Sequence, residues 1–253
     1  MEFLVIIFLI FYLLNHLQEN CVSGCMKSSD PTKNVGSYDA FTPSPRKEAW
    51  WLEKHLSHVE HSQKNFENIK LLFLGDSITH EWNEDGNYTF HKYYAKYNAA
   101  NYGVPADRTQ HLLWRIRNGE IHNLNPLMVV LLIGTNNFGH NKDMEIFKGV
   151  KAIVIELRRR LPHSKILLLG ILPRSTDTAT KRVNAINKLI MQLDDDLMVW
   201  FFDLGRYFYI EDHLVTELYH QDLLHLSSKG YETWAFAMAP VMREMMEIIF
   251  ESE

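Results

Sequence analysis

Five short apolar runs, Leu71–Leu74, Ala99–Tyr102, Met128–Ile133, Ile166–Leu169 and Val199–Phe202, alternate along this chain with stretches whose apolar residues recur at helical spacing. The helical stretches are Trp50–Ile69, Gln110–Arg117, Met144–Leu161, Lys181–Leu193 and Tyr231–Phe250. A run that is apolar throughout, such as Leu71–Leu74, has no polar face to show to water and reads as a strand covered on both sides. Parallel strands also need a long crossover between them, and the intervening helices supply it. The alternation therefore predicts a central parallel sheet of about five strands covered by helices on both faces, a three-layer α/β/α domain. With 253 residues, 46% apolar and 23% charged, the chain can bury one large core, and nothing in it marks a second globular domain. A formal net charge of −5 argues against a nucleic-acid footprint. Arg158-Arg159-Arg160 reads as the solvated end of a helix, where cations complement the dipole.

In open α/β sheets functional groups gather at the carboxyl ends of the strands. The first run stops abruptly in Gly75-Asp76-Ser77, which places Ser77 at that edge, and far downstream the chain reads Asp222-Leu223-Leu224-His225. Ser, Asp and His are the residue types that turn an alcohol into a nucleophile at neutral pH. Taken alone, Gly-Asp-Ser is an ordinary turn, and Asp222 and His225 are an ordinary surface pair. Two further strand ends change that balance, because Asn101-Tyr102-Gly103 and Gly134-Thr135-Asn136-Asn137 deliver small or amide residues to the same edge. Gly103 can offer a bare backbone N–H and Asn136 a side-chain amide, which with the N–H of Ser77 make an oxyanion hole.

Gly-Asp-Ser, then Gly, then Gly-x-Asn, then Asp-x-x-His resembles the block pattern of the SGNH, or GDSL-type, hydrolases. Between Asp107 and Tyr231 the chain is further similar to the catalytic subunits of type IB platelet-activating-factor acetylhydrolases, on Arg108–Arg115, Asn118-Gly119-Glu120, Gly134–Asn137, Gly170–Arg174 and Leu224–Ser227. The resemblance covers roughly residues 48 to 250. It implies a flavodoxin-like SGNH hydrolase fold, with Ser77 as nucleophile, His225 as base, Asp222 as its orienter, and Ser77 N–H, Gly103 and Asn136 as oxyanion donors. It further implies a short acyl group, acetyl foremost, carried on a phospholipid or a sugar, no metal or organic cofactor, and a homodimer. A carbohydrate O-acetylesterase would use the same residues, whereas a silent lipid- or glycan-binding relative would be expected to lose Ser77, His225 or Asn136. One departure is visible: where the family commonly has glycines before the Asp, this chain has Val104-Pro105-Ala106-Asp107. Pro105 fixes φ and lacks an N–H, so a stiffer loop with one donor fewer is expected. Neighbours of the catalytic atoms, Ile78, Thr135 and Leu224, are the expected walls beside the scissile carbonyl and leave room for little more than a methyl.

Phe3 to Leu14 is an apolar run of the length of a signal-peptide core, and Val22-Ser23-Gly24 offers small residues for cleavage. Residues 1–24 are thus expected to be a leader to the secretory pathway or, failing cleavage, a membrane anchor. Residues 25–47 read as a polar arm and 48–253 as the hydrolase domain. Both cysteines, Cys21 and Cys25, fall in or beside the leader, so the catalytic domain has no disulfide framework. Asn87-Tyr88-Thr89 is a glycosylation sequon, usable only on a secreted chain. His55, His58 and His61 recur on one helix without an acidic or cysteine partner and read as a polar face rather than a zinc site. Asp194-Asp195-Asp196 reads as a turn, and Met238, Met242, Met245 and Met246 as the core-facing side of the last helix.

Overall fold

The computed structural model describes residues 39–251. The expected leader with Cys21 and Cys25, and residues 25–38 of the expected arm, lie outside the described residues. The five apolar runs become strands β1 (Leu71–Gly75), β2 (Ala99–Gly103), β3 (Met128–Leu132), β4 (Lys165–Leu169) and β5 (Val199–Phe202). They form one sheet in the order β2-β1-β3-β4-β5, and every adjacent pair is parallel. Strand order reverses between β1 and β3, whose carboxyl ends therefore border the crevice where an open sheet of this kind places its ligands.

The period of two along each strand divides the core. Leu72 and Leu74 of β1, Val129 and Leu131 of β3, and Ile166 and Leu168 of β4 pack on one face against α4 (Thr109–Arg117), α5 (Asp143–Arg160) and α6 (Asp177–Ile190). Leu71, Phe73, Val130, Leu132, Leu167 and Leu169 point the other way, toward α3 (Asn87–Tyr94) and α7 (Ser228–Glu251). Phe73 is wholly buried among the rings of Trp82, Phe90 and Tyr94, and cutting it to Ala would cost about 3–5 kcal/mol. The four methionines of α7 are all buried in this second layer, as their helical spacing predicts. Helix α1 (Ala49–Asn65) flanks β2, with Trp51 against Trp114 at 5.3 Å between centroids and His58 stacked on Tyr102 at 4.5 Å.

Several elements differ from the sequence expectation. His55 and His58 are not a solvated face: both are buried, His55 facing the Asn118 carbonyl and His58 the Glu120 carboxylate. The Asp194–Asp196 run is the turn expected of it and also ties down the start of β5, since Asp195 Oδ1 accepts from the N–H groups of Leu197, Met198 and Val199. The described end of the polar arm is docked on the domain: Ala40 is buried with its carbonyl accepting from Thr109 Oγ1, and Ser44 N–H donates to the Gln110 carbonyl. The short helix α2 (Ser77–His80), α3, and a small antiparallel hairpin of β6 (Tyr209–Ile210) and β7 (His213–Leu214) carry too few residues, or too mixed a pattern, to show in the periodicity.

Candidate active site

Strand β1 ends at Gly75, and Asp76 turns the chain into α2 by accepting the Ile78 N–H on Oδ1 at 3.1 Å. Ser77 is thereby held at the first position of α2, at the carboxyl edge of the sheet. The Tyr231 hydroxyl donates to the Ile78 carbonyl at 2.7 Å and pins this turn to α7. Burial pushes the Asp76 carboxyl up to about 7, against the opposing pull of the Ile78 N–H.

The second arm of the site is the loop before α7. Leu223 takes a left-handed conformation, φ +51°, which lets the loop fold back so that Asp222 Oδ1 accepts the N–H groups of both Leu224 and His225 at 3.0 Å. The other carboxylate oxygen lies 2.6 Å from His225 Nδ1, and His225 Nε2 lies 2.9 Å from Ser77 Oγ, across 148 residues of sequence. Three backbone bonds close the loop, His220 N–H to the His225 carbonyl, Leu223 N–H to the His220 carbonyl and Ser175 N–H to the Leu223 carbonyl. Partial burial pushes the Asp222 carboxyl up, but hydrogen bonds from the His225 ring and the two backbone N–H groups outweigh it and hold the group at about 2. An ionised Asp222 accepts a hydrogen bond from Nδ1–H, which keeps the proton on that nitrogen and leaves the Nε2 lone pair facing the serine hydroxyl. Glu81 was not singled out in the sequence, yet its Oε1 lies 3.7 Å from His225 Nε2, and the i+4 spacing from Ser77 is the signal that could have found it. His220, by contrast, is engaged with Asp85 at 2.9 Å.

On the oxyanion side the structure divides the expected donors. Gly103 gives its N–H to Asn101 Oδ1 at 3.0 Å, so the donor expected there is already engaged. Its lack of a side chain serves packing instead, because a Cβ at that position would stand 2.2 Å from the backbone nitrogen of His80. Asn136, on a single turn after Gly134, donates one amide hydrogen to the Asp107 carbonyl at 2.9 Å and keeps the other. A residue passed over in the sequence stands next to it. Val104–Asp107 is a tight turn closed by Asp107 N–H to the Val104 carbonyl, with Pro105 second and Ala106 third at φ +60°. The Pro105 carbonyl is held by Arg46 at 2.8 Å, so the Ala106 N–H, at the other end of that planar peptide, points away from it. Among the described residues neither this N–H nor that of Ser77 has a hydrogen-bond partner. The signal was the Pro itself, which favours a turn whose third residue presents its N–H outward.

Beneath this loop lies a dry cluster of charges. Arg115, with no exposed surface, donates through Nε to Asp107 Oδ2 at 2.7 Å and pairs with Glu120, also fully buried. Its remaining hydrogens reach the carbonyls of Tyr102 at the end of β2 and Gly75 at the end of β1. Trp51 Nε1 donates to Asp107 Oδ1 at 2.6 Å, and His58 Nδ1 meets Glu120 at 2.8 Å. Burial alone would raise the Glu120 carboxyl, but Arg115 and His58 hold it below its ordinary value. One guanidinium thus fixes the ends of two strands and the residue whose carbonyl orients Asn136.

Of the three expected wall residues, Ile78 and Thr135 are buried and Leu224 is half-buried. Thr135 Oγ1 accepts from Arg174 at 2.8 Å. An open cleft of about 440 Å³ runs from Ala106 and Asn136 along Arg108 and the docked arm.

Residues 73–233 match the profile of the GDSL-like Lipase/Acylhydrolase family. The chain is 30% identical over 184 residues to platelet-activating factor acetylhydrolase IB subunit alpha1 of Bos taurus, covering 72% of this chain and 77% of that protein. It is 29% identical over 200 residues to the alpha2 subunit of Rattus norvegicus, covering 78% and 85%. Among solved structures, a GDSL-like lipase from Bacteroides thetaiotaomicron superposes with a TM-score of 0.61 at 16% identity, over 75% of this chain and 98% of that one. An acetyl-xylooligosaccharide esterase variant from Geobacillus superposes at 0.54 and 18%, over 69% and 93%. These solved structures share the fold, and with a profile match over more than half its length the chain belongs to the GDSL-like lipase/acylhydrolase family.

Proposed function

We propose that this carboxylic ester hydrolase cleaves esters of short acyl groups, acetyl foremost, by serine acyl transfer. The observation that carries the proposal is the continuous chain Asp222–His225–Ser77, with spacings of 2.6 and 2.9 Å. Neutral His225 takes the Ser77 proton as Oγ bonds to the ester carbonyl carbon, and the carbonyl oxygen becomes an oxyanion. Three donors receive it: Ser77 N–H, Ala106 N–H and the second amide hydrogen of Asn136. Ala106 takes the role first expected of Gly103. Collapse of the intermediate breaks the bond to the alcohol, which leaves with the proton from His225. Water, deprotonated by the same imidazole, then attacks the acyl-Ser77 ester and releases the acid. Asp222 keeps the proton on Nδ1 throughout.

The short-acyl preference is supported by the similarity to platelet-activating factor acetylhydrolase subunits, and with Ile78 and Thr135 buried, Leu224 is the expected wall with surface to offer. Each methylene forced against such a wall costs about 1–3 kcal/mol of transition-state binding, so butyrate esters should react at least roughly tenfold more slowly than acetates. The test is turnover of an aryl acetate, butyrate and octanoate series by the purified protein, together with mass-spectrometric mapping of an organophosphonate adduct. Labelling at Ser77 with acetate fastest is the expected outcome. No turnover and no adduct would remove the esterase mechanism, and a preference for octanoate would replace the acetyl pocket with a long-chain one.

A further inference from the structure

The carboxylate of Glu81 faces the proton-transferring nitrogen of the site, and the triad and oxyanion donors leave it without a task. Its backbone is fixed on both sides: the Glu81 N–H donates to the Ser77 carbonyl, and the Glu81 carbonyl accepts from the N–H groups of Glu84 and Gly86. The next residue, Trp82, is fully buried among the rings of Phe73, Phe90 and Tyr94. The half-buried Glu81 side chain is thereby set beside the base, with Oε1 3.7 Å from His225 Nε2. Its other oxygen, Oε2, is shut away from solvent and has no hydrogen-bond partner among the described residues. Burial pushes the Glu81 carboxyl above its ordinary value, against the pull of His225 and His220 and with the like charges of Asp85 and Asp222 adding to the rise. Those neighbours are otherwise engaged: His220 meets Asp85 at 2.9 Å, and Asp222 meets the far nitrogen of the His225 ring at 2.6 Å.

A separation of 3.7 Å is too long for a direct hydrogen bond and calls for a molecule between the two groups. The chemistry of that molecule follows from its hydrogens. With Asp222 keeping the proton on Nδ1, Nε2 presents a lone pair and Oε1 presents another, so the two atoms oppose each other as acceptors. In the free enzyme Nε2 is answered by the Ser77 hydroxyl at 2.9 Å. Once Oγ is acylated it has no hydrogen to give, and whatever stands between Nε2 and Oε1 must donate to both. An alcohol carries one hydrogen on its oxygen, whereas water carries two.

We infer that Glu81 positions the hydrolytic water of the deacylation step, Oε1 accepting one of its hydrogens while the other points at His225 Nε2. The role rests on the proposed serine acyl transfer. The water oxygen bonds to the acyl carbon as one hydrogen passes to Nε2, and the hydrogen facing Glu81 stays on oxygen. The bond from the acyl carbon to Oγ then breaks, Oγ recovers the proton from Nε2, and the free acid leaves. An alcohol that enters the same place has no second hydrogen for Oε1 and gains nothing from the carboxylate. Glu81 therefore acts on the water step alone and makes the site a hydrolase rather than an acyltransferase.

The experiment compares Glu81→Gln with the wild type on para-nitrophenyl acetate, in water and in water containing methanol, with rapid-quench mass spectrometry of the acetyl-Ser77 adduct. Hydrolysis of the adduct should slow by at least about tenfold, the loss of one charge-assisted hydrogen bond. The value of kcat/KM, which reports steps up to acylation, should stay within about twofold of wild type. The ratio of methyl acetate to acetate should rise by the factor by which hydrolysis falls, because methanol gives its one hydrogen to His225. Glu81→Asp, which keeps the charge but withdraws it by one methylene, should move the ratio in the same direction and carries the test should the Gln variant fold poorly. An unchanged ratio with both reactions slowed would make Glu81 a support for His225 and overturn the inference, as would a loss confined to kcat/KM. A wild type that forms and hydrolyses acetyl-Ser77, beside a Glu81→Gln variant that does so equally fast, overturns the role of Glu81 alone. A wild type with no adduct and no turnover overturns that role together with the esterase mechanism.

Discussion

Two carboxylate clusters flank the oxyanion loop, and they are held in opposite ways. Asp107 and Glu120 meet Arg115 with no solvent exposure on any of the three side chains, and their network reaches the carbonyls of Gly75 and Tyr102. Asp222 and His225 meet at the surface, with 49% and 26% of their side chains exposed, on a loop shaped by Leu223 in a left-handed conformation. In the first cluster the charges are structural: removing one leaves an uncompensated buried ion. In the second, water solvates whatever is left behind, so the geometry of the loop matters to the chemistry and little to the fold. Rigid support therefore sits under the donors that receive the developing charge, while the proton-transfer pair sits where substrate and water can reach it.

The largest expected effect belongs to the exposed side. Ser77→Ala removes the nucleophile and should lower kcat by roughly 10⁶, with an unchanged melting profile, because every covalent step passes through Oγ. Asp222→Asn should follow at roughly 10⁴ in kcat, since the amide no longer enforces the His225 tautomer, while urea denaturation shows stability within about 1 kcal/mol of wild type. Equal losses of stability in Asp222→Asn and in a variant of the buried cluster would erase the distinction between the two.

Arg115→Met tests the other half. It should cost about 3–5 kcal/mol of unfolding free energy and lower soluble yield, while Arg115→Lys recovers only part because a single ammonium cannot span both carboxylates and two carbonyls. Asn136→Ala, which removes one oxyanion donor along with its bond to the Asp107 carbonyl, should lower kcat by roughly 10²–10³, about 3–4 kcal/mol, with little change in KM. A loss confined to KM would mean that Asn136 binds the ground state.

A third carboxylate sharpens the comparison through pH. Asp76 is buried like Asp107 but makes no ion pair among the described residues, and burial raises it from 3.8 to about 7. Between about pH 4 and 7 the native protein keeps a proton that the unfolded chain has released. Stability should therefore decline as pH rises through this window, by at most about 1.4 kcal/mol per pH unit, and level off above it. Asp76→Asn keeps an acceptor for the Ile78 N–H and cannot ionise, so its stability should fall less steeply there, with the rest of the slope left to groups such as Asp107, which burial raises to about 6. An unchanged slope, measured by chemical denaturation at several pH values, would show that another group carries it.

Strand number, strand direction and the edge at which chemistry gathers follow from the sequence alone, because fully buried parallel strands must be apolar along their whole length and so announce themselves. The Ser, Asp and His that meet were equally legible, since an abrupt strand end and an Asp three residues before a His are local facts. Local patterns cannot say which polar groups are already engaged. Gly103 could be recognised as a position that tolerates no side chain, but only the approach of α2 and Asn101 shows that its N–H is taken. Ala106 could be recognised as part of a Pro-containing turn, but only the Arg46 contact with the Pro105 carbonyl fixes where its N–H points. His55 and His58 lie on a polar stripe of α1, and burial against Asn118 and Glu120, more than sixty residues away, decides that the stripe faces inward. Hydrogen-bond satisfaction and burial are set by partners distant in the chain, so the donors and the buried ions belong to the tertiary structure, while the sheet and its catalytic edge belong to the sequence.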